Sequence, residues 1–398
     1  MSQKRLFWLS DSPLLQTGYA NISRQICNRL AAKGWEVHYL GAQFPMQPLL
    51  PGVTFEDGDK CSFKIYGINK ELYGKDILQE RIREIKPQVF VTLLDTFMVF
   101  PWFTEVDFSP ARSVFYFPSD GGEGGGGGLG LPTQCEHILR RMSTPVAMSK
   151  FAQKQVKELY NIDALYIPHA VDSSVYKPLN AEEKMRARAR WGLQDKFVVG
   201  VVARQQPRKM LERGILAFAQ FCRDKPDAVF FMHTDPFDSA ASFNILRLIE
   251  RLGIQNRVVF SGMKASKGFA YSEMNDVYNV MDVFFLSTSG EGWGVPTTEA
   301  MSAGIPVVIT DYTTTKEIVT DHQAGIAVRP AAEIMGSWEV DRAIMDITDA
   351  VHALNLMYCD EGLRKRCGEN GRKAVLAEYD WDVVASEWDR ILSGMVEW

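Results

Sequence analysis

Asp282-Val-Phe-Phe-Leu-Ser-Thr-Ser-Gly-Glu-Gly-Trp-Gly-Val-Pro-Thr-Thr-Glu299 decides the fold class of this 398-residue chain. It opens with a short apolar run of the kind that is buried on both faces of a parallel sheet. Glycines at 290, 292 and 294 then make a turn, and a helix is predicted to open at Thr297 or Thr298 and to close at Gly304, ahead of Pro306. A glycine-rich turn feeding a helix N-terminus is a seat for an anion, because unpaired N–H groups and the helix dipole point the same way. Two carboxylates, Glu291 and Glu299, flank that seat. They would repel a phosphate, so they are assigned to hydroxyl groups. A ligand bearing both phosphates and hydroxyls is a nucleotide or a nucleotide-sugar.

The same strand-then-helix alternation runs along the whole chain and predicts an α/β protein with parallel sheets. The first series of strands is Leu6–Leu9, Glu36–Leu40, Val89–Leu94, Ser113–Phe117 and Ala164–Ile167, with Tyr19, Ile22, Ile26 and Leu30 as the inward stripe of a helix. A polar stretch follows, from Ser173 to Asp195. A second series then comprises Phe197–Val202, Ala228–Met232, Val258–Phe260, Val283–Leu286 and Val307–Ile309. The expected organisation is a Rossmann-like acceptor-side domain over 1–172, a linker over 173–195 and a nucleotide-sugar-binding Rossmann-like domain over 196–380. A helix over 381–398 is expected to cross back to the first domain. Ligands of such sheets lie beyond the carboxyl ends of the strands, where Asp95, Ser119, Asp120, Ala203–Lys209 and Ser287–Glu299 all fall.

Bulk composition bounds the answer without naming it. The chain is 46% hydrophobic and 23% charged, ordinary for a soluble globular protein, and its net charge of −5 gives no global attraction to nucleic acid or anionic membrane. The six cysteines have no metal or redox spacing, which predicts reduced thiols in a cytoplasmic protein. No signal peptide is predicted ahead of the strand at Leu6, and no apolar run approaches a bilayer span.

Arg204-Gln-Gln-Pro-Arg-Lys209 follows the strand ending at Val202, and a guanidinium fork and an ammonium five residues apart there suit a diphosphate. The ordered set of Arg204, Lys209, Glu291 and Glu299 resembles the signature of family 4 retaining glycosyltransferases, which have the GT-B fold. Ile167-Pro-His-Ala-Val-Asp172, Met148-Ser149, Gly304-Ile-Pro-Val-Val308 and Glu317-Ile-Val319 are also similar to family positions. The resemblance implies two Rossmann-like domains facing an interdomain cleft and a nucleoside-diphosphate sugar (UDP-, GDP- or ADP-linked) as co-substrate, with no metal and no other cofactor. It further implies that Arg204 and Lys209 clamp the diphosphate, that Glu291 meets the sugar hydroxyls and that Glu299 meets the ribose. Gly18 and the stretch Gly292, Trp293, Gly294, Val295, Pro296 and Thr297 would line the donor, with backbone amides of Gly294 to Thr297 as donors. Asp120 stands where relatives place a histidine, so it is assigned either to the reacting sugar and acceptor hydroxyl or to a turn cap. Asp95, Ser119 and His169 are assigned to the acceptor side, His169 with core packing as an equal reading.

Several features stay open at this level. Gly121–Gly130 holds eight glycines in ten positions and is read either as an engineered or degenerate flexible loop or as an acceptor-side lid. Asp57-Gly-Asp59 is assigned to a hairpin turn rather than to a metal motif. Phe97, Phe100, Trp102, Phe103 and Phe108 are assigned to core packing, against a greasy acceptor or membrane contact. The acceptor hydroxyl is left among a polysaccharide, a lipid, a protein, a small sugar and a modified nucleic-acid base. A sugar-nucleotide epimerase or a non-catalytic nucleotide-sugar-binding module of the same fold is the competing reading.

Overall fold

The computed structural model describes residues 3–15, 17–45, 48–55, 60–122, 130–264 and 268–396. Gln16, the Asp57–Asp59 turn and the interior of the glycine run lie outside the described residues. The chain divides into unit 1, made of residues 1–119, 131–170 and 381–398, and unit 2, made of 120–130 and 171–380.

Unit 1 is built on a seven-stranded, all-parallel sheet. Its strands are β1 (Arg5–Asp11), β2 (Glu36–Pro45), β3 (Lys64–Ile68), β4 (Val89–Leu93), β5 (Arg112–Phe117), β6 (Thr144–Ala147) and β7 (Leu165–Tyr166), in the order β3-β2-β1-β4-β5-β6-β7. The apolar runs at β1, β4 and β5 are covered on both faces, which is why they carry almost no alternation. Thr17 starts the helix Gly18–Ala32: its hydroxyl oxygen accepts from Ala20 N at 3.1 Å and donates to Asp11 Oδ2 at 2.6 Å. That one side chain ties the helix start to the carboxyl end of β1. The final helix, Trp381–Val396, packs on the helix Gly18–Ala32, and its Trp388 meets Trp8 and Tyr116 edge-on at centroid distances of 5.5 and 4.9 Å.

Unit 2 repeats the architecture with six parallel strands: β8 (Phe197–Val202), β9 (Ala228–His233), β10 (Val258–Phe260), β11 (Val283–Leu286), β12 (Val307–Thr310) and β13 (Gly325–Val328). Their order is β10-β9-β8-β11-β12-β13. An antiparallel hairpin, β14 (Pro330–Met335) and β15 (Asp341–Met345), forms a separate two-stranded sheet.

Most expected strands are found within a residue or two, and the exceptions have physical causes. β3, β6, β13, β14 and β15 were not legible, because they are short or polar-flanked and draw their register from neighbours. The stretch expected as a linker contains the helix Ala181–Ala189, opened by a capping box in which Asn180 and Glu183 satisfy each other's amides. The aromatic cluster is divided: Trp102, Phe103 and Phe108 are core, whereas Phe97 and Phe100 are 44% and 41% exposed. All six cysteines are free, five of them buried. Among the described residues, no helix is long and apolar enough to cross a membrane.

Trp388 is fully buried, so Trp388→Ala is expected to destabilise unit 1 by about 3–5 kcal/mol in a urea melt. A loss under about 1 kcal/mol would mean that the last helix is peripheral.

Candidate functional site

The glycine turn of the opening stretch takes a different local form from the one expected. The helix starts at Val295, two residues early, because Gly294 holds φ +94° at the position before it, a value that excludes most side chains. Thr298 Oγ1 donates back to Val295 O at 3.0 Å instead of capping the helix. Of the four backbone amides expected to meet a ligand, Pro296 has none and Thr297 N–H is committed to Gly294 O at 2.9 Å. The role is thereby left to Gly294 and Val295. Trp293 packs its ring against Tyr379 at 5.1 Å, and its carbonyl accepts from Thr314. The Thr297 hydroxyl is buried with no hydrogen-bond partner among the described residues.

Glu291 lies at the centre of the site. It is 5% exposed, and its carboxylate takes Lys209 Nζ at 2.6 Å on one oxygen and Arg208 Nη1 at 2.9 Å on the other. Burial alone would push this carboxyl up, but Lys209 and Arg208 together reverse the effect and hold it at about 2. Burial and the neighbouring Arg208 charge bring the Lys209 ammonium down to about 8, against the opposing pull of Glu291. Both groups are therefore ionised at neutral pH.

The backbone fixes this pair tightly. After β8 the chain makes a 3₁₀ turn over Pro207–Lys209, and Met210 sits at φ +44°, an uncommon conformation for a branchless side chain and one that must be held by its surroundings. The carbonyls of that turn are satisfied from the loop after β11: Ser287 Oγ donates to Met210 O at 2.8 Å, and Ser289 donates to Arg208 O through both its N–H (2.8 Å) and its hydroxyl (2.9 Å). Glu291 itself exchanges two backbone bonds with Thr313, whose hydroxyl accepts from Glu291 N at 3.1 Å and donates to Glu291 O at 3.0 Å.

Arg204 is turned elsewhere. Its guanidinium forks onto Asp238 at 3.0 and 2.9 Å, and that bond raises its already high pKa while lowering that of Asp238. Half of the Arg204 side chain remains exposed. Asp120 belongs to unit 2 by its contacts: Arg342 donates to its backbone oxygen at 2.5 Å and to Oδ1 at 3.1 Å, and Arg208 lies 4.0 Å from Oδ2. Gly290 must be glycine because a Cβ there would sit 2.1 Å from Asp120 O.

Glu299 is set apart from Glu291 by its environment. It lies within the helix Val295–Ser302, almost fully buried, and Tyr278 OH donates to its Oε2. Burial raises its carboxyl to about 7, partly opposed by hydrogen bonds from Tyr278 and Tyr176. Among the described residues, no group of three or more metal-ligating side chains comes together.

In unit 1, Gly18 is the first residue of its helix, and a Cβ added there would meet nothing within 4 Å. Asp95 follows β4 and accepts from Tyr19 OH at 2.7 Å. Ser119 follows β5 and is buried, donating to Gln155 Oε1 at 3.0 Å. His169 is buried against Tyr116, 2.7 Å from its hydroxyl, and burial lowers its pKa to about 3, which keeps the ring neutral at physiological pH.

Arg208, Asp238, Tyr278, Thr313 and Arg342 were not singled out from the sequence. Arg208 carried a usable signal, since it adjoins Lys209 after a strand end. The other four come from separate segments and have no motif.

Residues 183–374, all within unit 2, match the family model of glycosyl transferases group 1. An uncharacterized glycosyltransferase of Methanocaldococcus jannaschii is 25% identical over 63% of this chain and 61% of its own length. A GDP-mannose-dependent alpha-(1-6)-phosphatidylinositol monomannoside mannosyltransferase of Mycolicibacterium smegmatis is 28% identical over 58% of this chain and 56% of its own. The chain thus spans less than two thirds of the length of these relatives. Sucrose-phosphate synthase from Thermosynechococcus elongatus superimposes with a TM-score of 0.77, covering 98% of this chain and 99% of that one at 16% identity. The likeness is one of fold, and the fold is GT-B.

The two glutamates carry opposite pH signatures. A carboxyl raised from 4.5 to about 7 contributes stability that is full below about pH 4.5 and lost as pH rises through about 7. Between pH 8 and pH 5.5 this group is expected to add about 2 kcal/mol of stability. Glu299→Gln should abolish that increment in urea melts at the two pH values. An unchanged increment would place the carboxyl in the ordinary range.

Proposed function

We propose that this protein is a glycosyltransferase that moves a sugar from a nucleoside-diphosphate sugar to an acceptor hydroxyl with retention of anomeric configuration. The observation that carries the reading is the buried Glu291 carboxylate held by Lys209 and Arg208 inside the region that matches the group 1 model. A GDP-mannose-dependent relative supports the nucleotide-sugar class of donor.

On this reading the donor diphosphate binds between the basic side chains of the turn after β8. Lys209 and Arg208 pass from Glu291 to phosphate oxygens, Arg204 extends its exposed guanidinium to the second phosphate, and Glu291 is released to accept from hydroxyls of the sugar. Glu299, at the far end of the same segment, accepts from the ribose hydroxyls when ionised. Gly294 and Val295 approach the donor through their backbone, Gly292 and Trp293 setting the turn that brings them there.

The reaction breaks the bond from the anomeric carbon to the diphosphate oxygen, the electron pair leaving with the diphosphate. The cations take up this charge as it develops, which is where their contribution is largest. The acceptor oxygen bonds the anomeric carbon on the face the leaving group vacates, and its proton passes to a departing phosphate oxygen. No strong protein base is needed, consistent with a Glu291 carboxyl at about 2 and a poor proton acceptor. Unit 1, with Asp95 and Ser119 at the carboxyl ends of its strands, is assigned to the acceptor. Asp120 is assigned to the reacting sugar.

Incubation with UDP-, GDP- and ADP-sugars, with release of nucleoside diphosphate as the readout, tests the proposal. One donor is expected to be turned over, and Lys209→Ala or Glu291→Ala should lower that turnover on the order of 10²-fold. Binding without release from any donor would favour a non-catalytic module, interconverted sugars would favour an epimerase, and a few-fold effect of both variants would remove these residues from the reaction.

A further inference from the structure

The β14–β15 hairpin lies outside the six-stranded sheet of unit 2, yet its second strand is bonded to the candidate site by two separate routes. Through the backbone, Ala343 N–H donates to Ser289 O at 3.0 Å, and Ser289 in turn donates twice to Arg208 O. Through a side chain, Arg342 holds Asp120 at both its backbone oxygen and its carboxylate, and Asp120 stands 4.0 Å from the Arg208 guanidinium. Both routes end on Arg208, whose Nη1 donates to Glu291 Oε2 at 2.9 Å and to Gly290 O at 3.2 Å.

The packing around these contacts leaves little room for alternatives. A Cβ on Gly290 would lie 2.1 Å from Asp120 O and 3.3 Å from Arg342 Nη1, so the site loop, Asp120 and Arg342 are in mutual contact. Gly122 N–H donates to Asp341 O at 3.1 Å, and a Cβ on Gly121 would fall 2.0 Å from Val340. The chain just after Asp120 is thus laid directly on the hairpin. The Arg342 side chain is 17% exposed, so its cation is engaged in this contact and only weakly screened.

We infer that Arg342 is a positioning residue of the donor site, holding Asp120 so that Arg208 keeps the orientation in which it meets the charge developing on the departing diphosphate. The inference rests on the donor-site reading of Glu291 and Lys209. Arg342 does not touch the donor in this account. Its effect is on the geometry of groups that do, so it bears on the rate of transfer and spares the affinity for the nucleotide. Lysine can replace one of its two bonds to Asp120 but not both, since an ammonium lacks the planar fork.

The test compares Arg342→Ala, Arg342→Lys, Asp120→Asn and the double variant Arg342→Ala/Asp120→Asn, using nucleoside-diphosphate release from the preferred sugar donor and calorimetric titration with the free nucleoside diphosphate. Arg342→Ala is expected to lower kcat by about 10- to 100-fold, the cost of a small misplacement of reacting groups. Its nucleotide Kd should stay within about threefold, and Arg342→Lys should recover part of the rate. Asp120→Asn keeps the backbone bond and an oxygen that Arg342 can reach but loses the charge, so it should also lower kcat, and the double variant should fall short of the product of the two single losses, because the two residues act through one contact. Hydrogen exchange at the Ser289 and Gly290 amides supplies a readout free of catalysis, with at least about tenfold faster exchange expected in Arg342→Ala. A kcat within about threefold of the parent, or losses that multiply in the double variant, would overturn the inference. If the parent turns over no donor, the transferase reading fails, and unchanged exchange at Ser289 and Gly290 would then overturn the positioning role independently.

Discussion

A carboxylate buried between two cations organises unit 2. Taking Glu291 out of water costs several kcal/mol unless its charge is met at short range, and here Lys209 and Arg208 meet it at 2.6 and 2.9 Å. Both cations come from one tight turn after β8, so that turn must be held in shape. Its carbonyls are taken by the hydroxyls and amide of Ser287 and Ser289, and the left-handed Met210 is tolerated as a result. The ends of β8 and β11 are therefore joined by the requirements of one charged group. Such a cluster is well matched internally but not fixed in its pairing, because a ligand that brings its own negative charge can exchange with Glu291 for the same cations.

The second carboxylate shows how the same residue type is tuned in the opposite direction. Glu299 faces tyrosines where Glu291 faces cations, and its carboxyl rises to about 7 while that of Glu291 falls to about 2. Two glutamates eight positions apart in one chain segment thereby differ in charge state near neutral pH, a consequence of partners rather than of burial, which both share. The distinction fits a division of labour in which one group stays anionic throughout and the other responds to what binds beside it.

Much of this was legible from local pattern. Fully apolar runs such as Phe197–Val202 and Val283–Leu286 announce strands covered on both faces, and the glycines at 290 and 294 mark backbone that side chains would block. Lys209 and Glu291 are legible as strand-end residues, whereas their ion pair comes from the sheet order, which sets β8 beside β11. Less legible was that Arg208 would lie beside Glu291, and that Arg204 would hold Asp238, a partner 34 residues away with no motif. Arg342 and Tyr278 were invisible for the same reason, since each acts through a contact that only the tertiary fold creates. The start of the helix at Val295 was misjudged because threonines suggest caps, while the positive φ of Gly294 sets the boundary here.

The central claim is that the Lys209–Glu291 pair opens to receive a donor diphosphate. A crystal structure with a nucleoside-diphosphate sugar bound tests it most directly. The account predicts a phosphate oxygen within hydrogen-bond distance of Lys209 Nζ, the Glu291 carboxylate turned to a sugar hydroxyl and the ribose beside Glu299. A donor bound elsewhere, with Lys209 still closed on Glu291, would contradict it.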